Sequence, residues 1–354
     1  MPHPSLVDSN FAGAPVMRVL IVDDSVVARS VLGRMVEGTR RFAVAAAFSD
    51  VSAALRWLEK NRVDVILLDI EMPGIDGLTA LPDILIASRG AKVMVVSSSA
   101  DDGAAVSVQA LALGAADTLV KPGIGAFGGR FAEVLEERLS KLFEAPEDIR
   151  PKPGVYAAIT APRDFDLVAI GASTGGIHAL SQFLRAIPAS FQVPILVTQH
   201  LPPSFMGYFA AQLAVLGGRP CEVATDYMRI RPGRIIVAPG DAHMRVIRIS
   251  DGSAIRLTHE KSLSGCMPSV DPMFESVAEV FGKRAVGVVL SGMGRDGCEG
   301  AADMIGAGAR VLVQDQASSV VWGMPGAIAN AGRASAVLPP DEIGRLVASR
   351  GGRA

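Results

Sequence analysis

The stretch DLVAIGASTGGIHAL, Asp166–Leu180, decides how the C-terminal half of this 354-residue chain is read. An apolar run stops at GASTGG, and a helix-like pattern follows at once. A strand that turns sharply into a helix needs small residues, because glycine adopts backbone angles that a Cβ disfavours. Ser173 and Thr174 sit inside that turn. Three readings fit. The stretch could be a plain tight turn, or a phosphate-cradling loop at a helix N-terminus. Gly171–Gly175 also matches G-x-S-x-G, the elbow that presents a nucleophilic serine at a strand end. The Walker lysine and the G-x-G-x-x-G pattern are both missing here. The motif alone leaves all three readings open.

An active serine needs a base, and the base needs an orienting acid. Five histidines are available. His3 falls in the N-terminal tail. His178 lies on the serine's own helix and is expected on its surface, pointing elsewhere. His243 and His259 flank a hairpin-like region, where ordinary polar roles are expected. His200 is different, because it ends the apolar run VPILVTQH, residues 193–200. Sites in parallel α/β sheets lie beyond the carboxyl ends of the strands, so His200 should share an edge with Ser173. Asp296 follows another apolar run, AVGVVLS at 285–291, in the loop GMGRDG. Alone, Asp296 reads as a loop or cap residue. Three triad members at three strand ends are a stronger case. Their order, Ser…His…Asp, differs from the α/β-hydrolase order, so that fold is not implied.

The second half is expected to be mostly parallel, from apolar runs at 166–171, 193–199, 234–238, 285–291 and 310–314. Residues 241–259 alternate apolar and polar around Asp251-Gly252, which signals an antiparallel hairpin. The first half repeats the strand-helix rhythm. RVLIV, FAVAAAF, DVILL, KVMVVS and DTLV read as five buried parallel strands, with helix-like segments such as Val26–Glu37 and Leu78–Ala87 between them. The class is α/β: a doubly wound (βα)5 domain over 17–143 and a mostly parallel α/β domain with a hairpin over 164–350. A flexible tail is expected at 1–16, and the proline-rich, charged segment 144–163 reads as a linker.

In the first domain, Asp23 and Asp24 follow strand one, and Asp69 ends strand three. Carboxylates brought together at one sheet edge repel unless a cation neutralises them, and Mg²⁺ suits a few carboxylates plus water. Lys121 and Ser97 end strands five and four and reach the same edge. A single such Asp would merely cap a helix; the whole set reads as a site.

Acids and bases nearly balance at net charge −2, aromatics are 5%, and no Lys/Arg block appears. Nucleic acid is therefore not an expected partner, since such binding needs a positive footprint. Cys221, Cys266 and Cys298 form neither a disulfide framework nor a metal-type spacing. No secretory signal or membrane-length apolar run is read, so a cytoplasmic protein without membrane insertion is expected.

Two resemblances then enter. Residues 17–143 resemble response-regulator receiver domains through VDDS, LLDIEMPGIDG, VVSSS and KPG. The resemblance implies that Asp69 accepts a phosphoryl group from a histidine kinase, of a chemosensory array given the second domain. It implies that Asp23, Asp24 and Asp69 hold Mg²⁺, and that Ser97 and Lys121 contact the phosphoryl oxygens. Thr118 stands where that family usually has an aromatic switch residue. Residues 166–348 resemble the catalytic domain of chemotaxis receptor methylesterases through IGASTGG, TQHLPPSF, VAPGDAHM, PSVDPMF, VVLSGMGRDG, QDQASSVVWGMP and AIANAG. This implies Ser173 as nucleophile, His200 as general base and acid, and Asp296 as orienter; by its position the Met293 backbone N–H is the expected oxyanion donor. The implied substrates are methylated glutamates, and also glutamines, on cytoplasmic chemoreceptor helices, with no cofactor for the ester chemistry. Cys266-Met267 stands where that family often has a basic pair.

Overall fold

A computed structural model describes residues 16–97, 101–121, 129–143 and 164–349. The expected linker at 144–163 and the tail, apart from Val16, lie outside the described residues. The first domain runs β1 (Met17–Val22), α1 (Val26–Gly38), β2 (Phe42–Phe48), α2 (Val51–Leu58), β3 (Val65–Asp69), α3 (Gly77–Ser88), β4 (Lys92–Ser97), α4 (Asp101–Leu113), β5 (Asp117–Val120) and α5 (Gly129–Leu142). Its sheet has the order β2-β1-β3-β4-β5, all parallel. β3 is buried along its whole length, as a strand covered on both faces must be. Ser25, Asp50 and Asp76 cap α1, α2 and α3 through their side chains.

The second domain runs β6 (Leu167–Ala172), α6 (Gly176–Arg185), β7 (Ile195–Gln199), α7 (Pro203–Gly217), β8 (Cys221–Val223), β9 (Ile235–Val237), β10 (His243–Ile249), β11 (Gly252–Thr258), α8 (Val270–Phe281), β12 (Ala285–Val289), α9 (Cys298–Gly306), β13 (Arg310–Gln314), α10 (Met324–Asn330), β14 (Ala336–Leu338) and α11 (Pro340–Ala348). The parallel sheet has the order β14-β13-β12-β6-β7-β9-β8. Alternate residues of β6 serve two cores. Leu167 and Ala169 pack with Val270 and Phe274 of α8, while Val168, Ile170 and Ala172 pack with Ile177 and Leu180 of α6. β10 and β11 form the expected antiparallel hairpin, with Gly252 already in β11 rather than in the turn. The three-residue strands β8 and β14 were not legible as apolar runs, because three residues carry no period.

The chain leaves β6 for β7 on one side and returns to β12 on the other. The crevice over β6 is therefore the topological switch point, where open α/β sheets bind ligands.

The two domains touch. Helix α4 packs on α6 and α7. Lys92 Nζ of β4 donates to the Val320 carbonyl at 2.6 Å. His178 corrects an expectation. It does not point away on a free helix surface, but lies at this interface, with Nδ1 3.2 Å from the Ala112 carbonyl oxygen.

Candidate active site and phosphoacceptor site

The turn after β6 is held by backbone and buried polar groups. Ser173 N–H donates to the Ser291 carbonyl at 3.0 Å, and Gly176 N–H closes the turn on the Ser173 carbonyl at 2.8 Å. Gln199 Nε2 donates to that same carbonyl, and the Ser291 hydroxyl donates to Thr174 O. Gly175 has φ +74°, and a Cβ there would come within 2.5 Å of Val320. The glycine is thus required both by backbone angle and by space. Gly292 lets the β12 loop approach, since a Cβ there would lie 2.9 Å from Ser173 Cβ. Ser173 is partly exposed at the top of this elbow.

His200 follows β7, tied by its N–H to the Ala172 carbonyl. Its Nε2 lies 2.8 Å from Asp296 Oδ2. Among the described residues the Ser173 hydroxyl has no hydrogen-bond partner, but Ser173, His200 and Met293 line one cavity of about 450 Å³. Nucleophile-base contacts often tighten only when substrate arrives.

Asp296 is 1% exposed and fully engaged. Oδ1 accepts from the Ser269 hydroxyl at 2.6 Å, and Oδ2 also accepts from Val270 N–H at 2.7 Å. Burial alone would raise its pKa, but His200, the Ser269 hydroxyl and the Val270 N–H hold it down to about 2. Burial likewise disfavours a charged His200. The bond to Asp296 and the neighbouring Cys266 outweigh that and push the ring up to about 9.

Sequence reasoning missed the supports. His243 is wholly buried, with Nδ1 accepting from Ser269 N–H and Nε2 donating to Glu260 O. It anchors the loop that carries Ser269. Asp271 accepts from Gly300 N–H, and burial beside the negative Asp296 pushes its carboxyl up to about 6. Both fall in quoted motifs, VAPGDAHM and PSVDPMF, but nothing local marks them as partners of a residue some 25–50 positions away.

In the first domain Asp23, Asp24 and Asp69 converge, one carboxylate oxygen of each lying within 4.8 Å of the others. Lys121 Nζ bridges Asp69 at 2.7 Å and Asp23 at 2.9 Å. Burial raises the pKa of Asp69 against the opposing effect of Lys121. Three carboxylates against one ammonium leave excess negative charge, so the donor set fits a hard divalent cation. Ser97 is buried, its hydroxyl 3.5 Å from that of Ser107. Thr118 is buried on β5.

Comparison with known proteins follows this division. Residues 168–347 match the family model described as CheB methylesterase, and residues 19–125 match the response regulator receiver domain. A Caulobacter vibrioides protein named protein-glutamate methylesterase/protein-glutamine glutaminase 2 is 43% identical, over 94% of this chain and 99% of its own length. An Azospirillum brasilense protein-glutamate methylesterase/protein-glutamine glutaminase is 37% identical over 100% of this chain and 97% of its own. The chain belongs to the CheB methylesterase family. It is an enzyme of that family, a carboxylic ester hydrolase carrying a receiver domain. The crystal structure of the Thermotoga maritima CheB methylesterase catalytic domain superposes with a TM-score of 0.51 at 31% identity, covering 52% of this chain and 98% of that one.

In this CheB-family chain the receiver lies against the methylesterase crevice. The cavity lined by Ser173 and His200 is also lined by Asp117, Arg138 and Lys141 of the receiver. Arg138 pairs with Asp117 at 2.9 Å and donates to Thr118 O. Among the described residues no helix is long and apolar enough to cross a membrane.

Proposed function

We propose that the chain removes methyl esters from glutamates of chemoreceptors, deamidates receptor glutamines at the same site, and is held in check by its receiver until Asp69 is phosphorylated. What supports this reading is the His200–Asp296 pair beside a cavity that Ser173 and His200 share at the switch point of the sheet. Ser173 Oγ attacks the acyl carbon while His200 takes its proton through the ring nitrogen not engaged by Asp296. The Met293 backbone N–H, in the same cavity, is assigned to the oxyanion. The tetrahedral intermediate collapses, and His200 returns the proton to the leaving methanol, or to ammonia from a glutamine. Water, deprotonated by His200, then hydrolyses the acyl-enzyme and restores the free serine and a carboxylate. Asp296 stays ionised and steadies the imidazolium.

The receiver would take its phosphoryl group on Asp69 from a histidine kinase. Mg²⁺ held by Asp23, Asp24 and Asp69 would neutralise charge on the transferring group. Ser97 and Lys121 would then contact the phosphoryl oxygens. Lys121, now paired with Asp23 and Asp69, supplies the charge such a contact needs. The test is methanol release from methylated receptor by the full chain, with and without a small phosphodonor. The reading requires release that depends on Ser173 and rises with phosphodonor; release unaffected by Ser173→Ala would overturn it.

A further inference from the structure

Beside the His200–Asp296 pair lies a third group to which the proposed hydrolysis assigns no chemical step. One ligand atom each from His200, Cys266 and Asp296 lie within 4.8 Å of one another. The Cys266 thiol neighbours the His200 ring and makes a long contact, 3.9 Å, to the Ser264 carbonyl of its own turn. That turn is fixed to the site. The Ser262 hydroxyl donates to Cys266 O, Ser264 Oγ meets Ser269 Oγ at 3.3 Å, and Ser269 bonds Asp296. Cys266 is partly exposed, and His200 borders cavities of about 470 and 450 Å³. The His200 end of the cluster thus faces space from which water can supply a fourth ligand.

We propose that His200, Cys266 and Asp296 form an inhibitory binding site for a transition-metal dication of the Zn²⁺ class, and that its occupancy switches the esterase off. The inference rests on the reading of His200 as the general base. One thiolate, one imidazole and one carboxylate with an open fourth place is a donor set that Zn²⁺ accepts tetrahedrally. The sulfur selects against Mg²⁺ and Ca²⁺, which take oxygen ligands. Asp296 is already oriented by Ser269 and Val270, the kind of outer support that metal sites use. The metal takes the place of the shared proton between His200 and Asp296; in a neutral ring that proton moves to Nδ1, an imidazolium releases it to solvent, and the Cys266 thiol proton also leaves to solvent.

Inhibition follows from proton counting. A neutral imidazole has one N–H and one lone pair. A metal on either nitrogen uses that lone pair and leaves the ring's single proton on the other nitrogen. No lone pair then remains to accept the proton of Ser173.

The experiment uses the metal-free full chain, with excess Mg²⁺ to occupy the receiver acids. Co²⁺ titration should give a near-ultraviolet thiolate-to-cobalt band and the visible bands of tetrahedral cobalt. Zn²⁺ should displace both. Cys266→Ser and Cys266→Ala should abolish the thiolate band, whereas Cys221→Ser and Cys298→Ser should keep it. Ester hydrolysis should fall with the same Zn²⁺ midpoint and return on chelation. In the Cys266 variants, confirmed as folded by circular dichroism, that midpoint should rise about 10–100-fold. The inference is overturned if no thiolate band forms, if the band survives loss of Cys266, or if hydrolysis continues at saturating Zn²⁺. His200→Ala separates the two readings: hydrolysis surviving without His200 refutes the triad, whereas a dead variant with no thiolate band in wild type refutes the metal site alone.

Discussion

Nε2 of His200 lies 2.8 Å from Oδ2 of Asp296, though 96 positions separate the two in the chain. The pairing engages Nε2, so in the proposed reaction the other ring nitrogen would take the proton of Ser173. Ser173→Ala and His200→Ala should each lower ester hydrolysis by about 10⁴-fold or more, because such groups act as a unit. Asp296→Asn should cost about 10⁴-fold by presenting an amide that stabilises the wrong tautomer. His178→Ala, at the domain interface, should cost little. Methanol release from folded variants checks the ranking.

The pH profile follows from the same pair. The proposed mechanism needs neutral His200, and the folded pKa is pushed up to about 9. In the unphosphorylated full chain, kcat/KM should therefore rise from pH 7 and level off above about 9. Cys266→Ala should move the midpoint down, because Cys266 helps to raise it. The stability contribution runs the other way. A raised folded pKa stabilises below the unfolded value of 6.5, and that stabilisation is lost as pH rises through about 9. Tm should fall over that window, and less so in Asp296→Asn.

Asp69→Asn should abolish acyl-phosphate formation from a small phosphodonor, and chelation of Mg²⁺ should do the same to the wild type. Lys121→Ala should retain phosphorylation but weaken its effect on hydrolysis. Phosphoprotein gels with and without EDTA read both.

The fragment Asp164–Ala354 should hydrolyse ester faster than the unphosphorylated full chain, because Arg138 and Lys141 border the cavity of Ser173. A docking equilibrium of about 1–3 kcal/mol corresponds to a 5–150-fold difference. Phosphodonor should accelerate the full chain and leave the fragment unchanged. Initial rates of both, side by side, check this.

His243→Ala should destabilise the catalytic domain by about 1–3 kcal/mol, since it strands the buried Ser269 N–H and the Glu260 carbonyl. It should also lower kcat, by loosening the Ser269 hydroxyl that holds Asp296. Urea unfolding and kcat together separate this from a purely structural loss.

The amino-acid sequence by itself determined the ten alternating elements of the receiver, the sharp strand-to-helix turn at Ser173 and the convergence of acids at Asp69. Each depends on chemistry within a few neighbouring residues: an apolar run long enough to be a buried strand, a glycine at positive φ, a polar side chain just past a strand end. Sheet order then carries those ends to one edge. Only the tertiary structure decided what stands beside them. His243 reads as a hairpin polar residue until the fold closes the Ser269 loop over it. Cys266 carries no motif signal, and its place beside His200 exists only because the turn at 262–269 packs against the loop of Asp296. His178 looks like a free helix residue until α4 docks on α6. Such contacts join residues tens of positions apart, so they arise from packing between elements rather than from any local pattern along the chain.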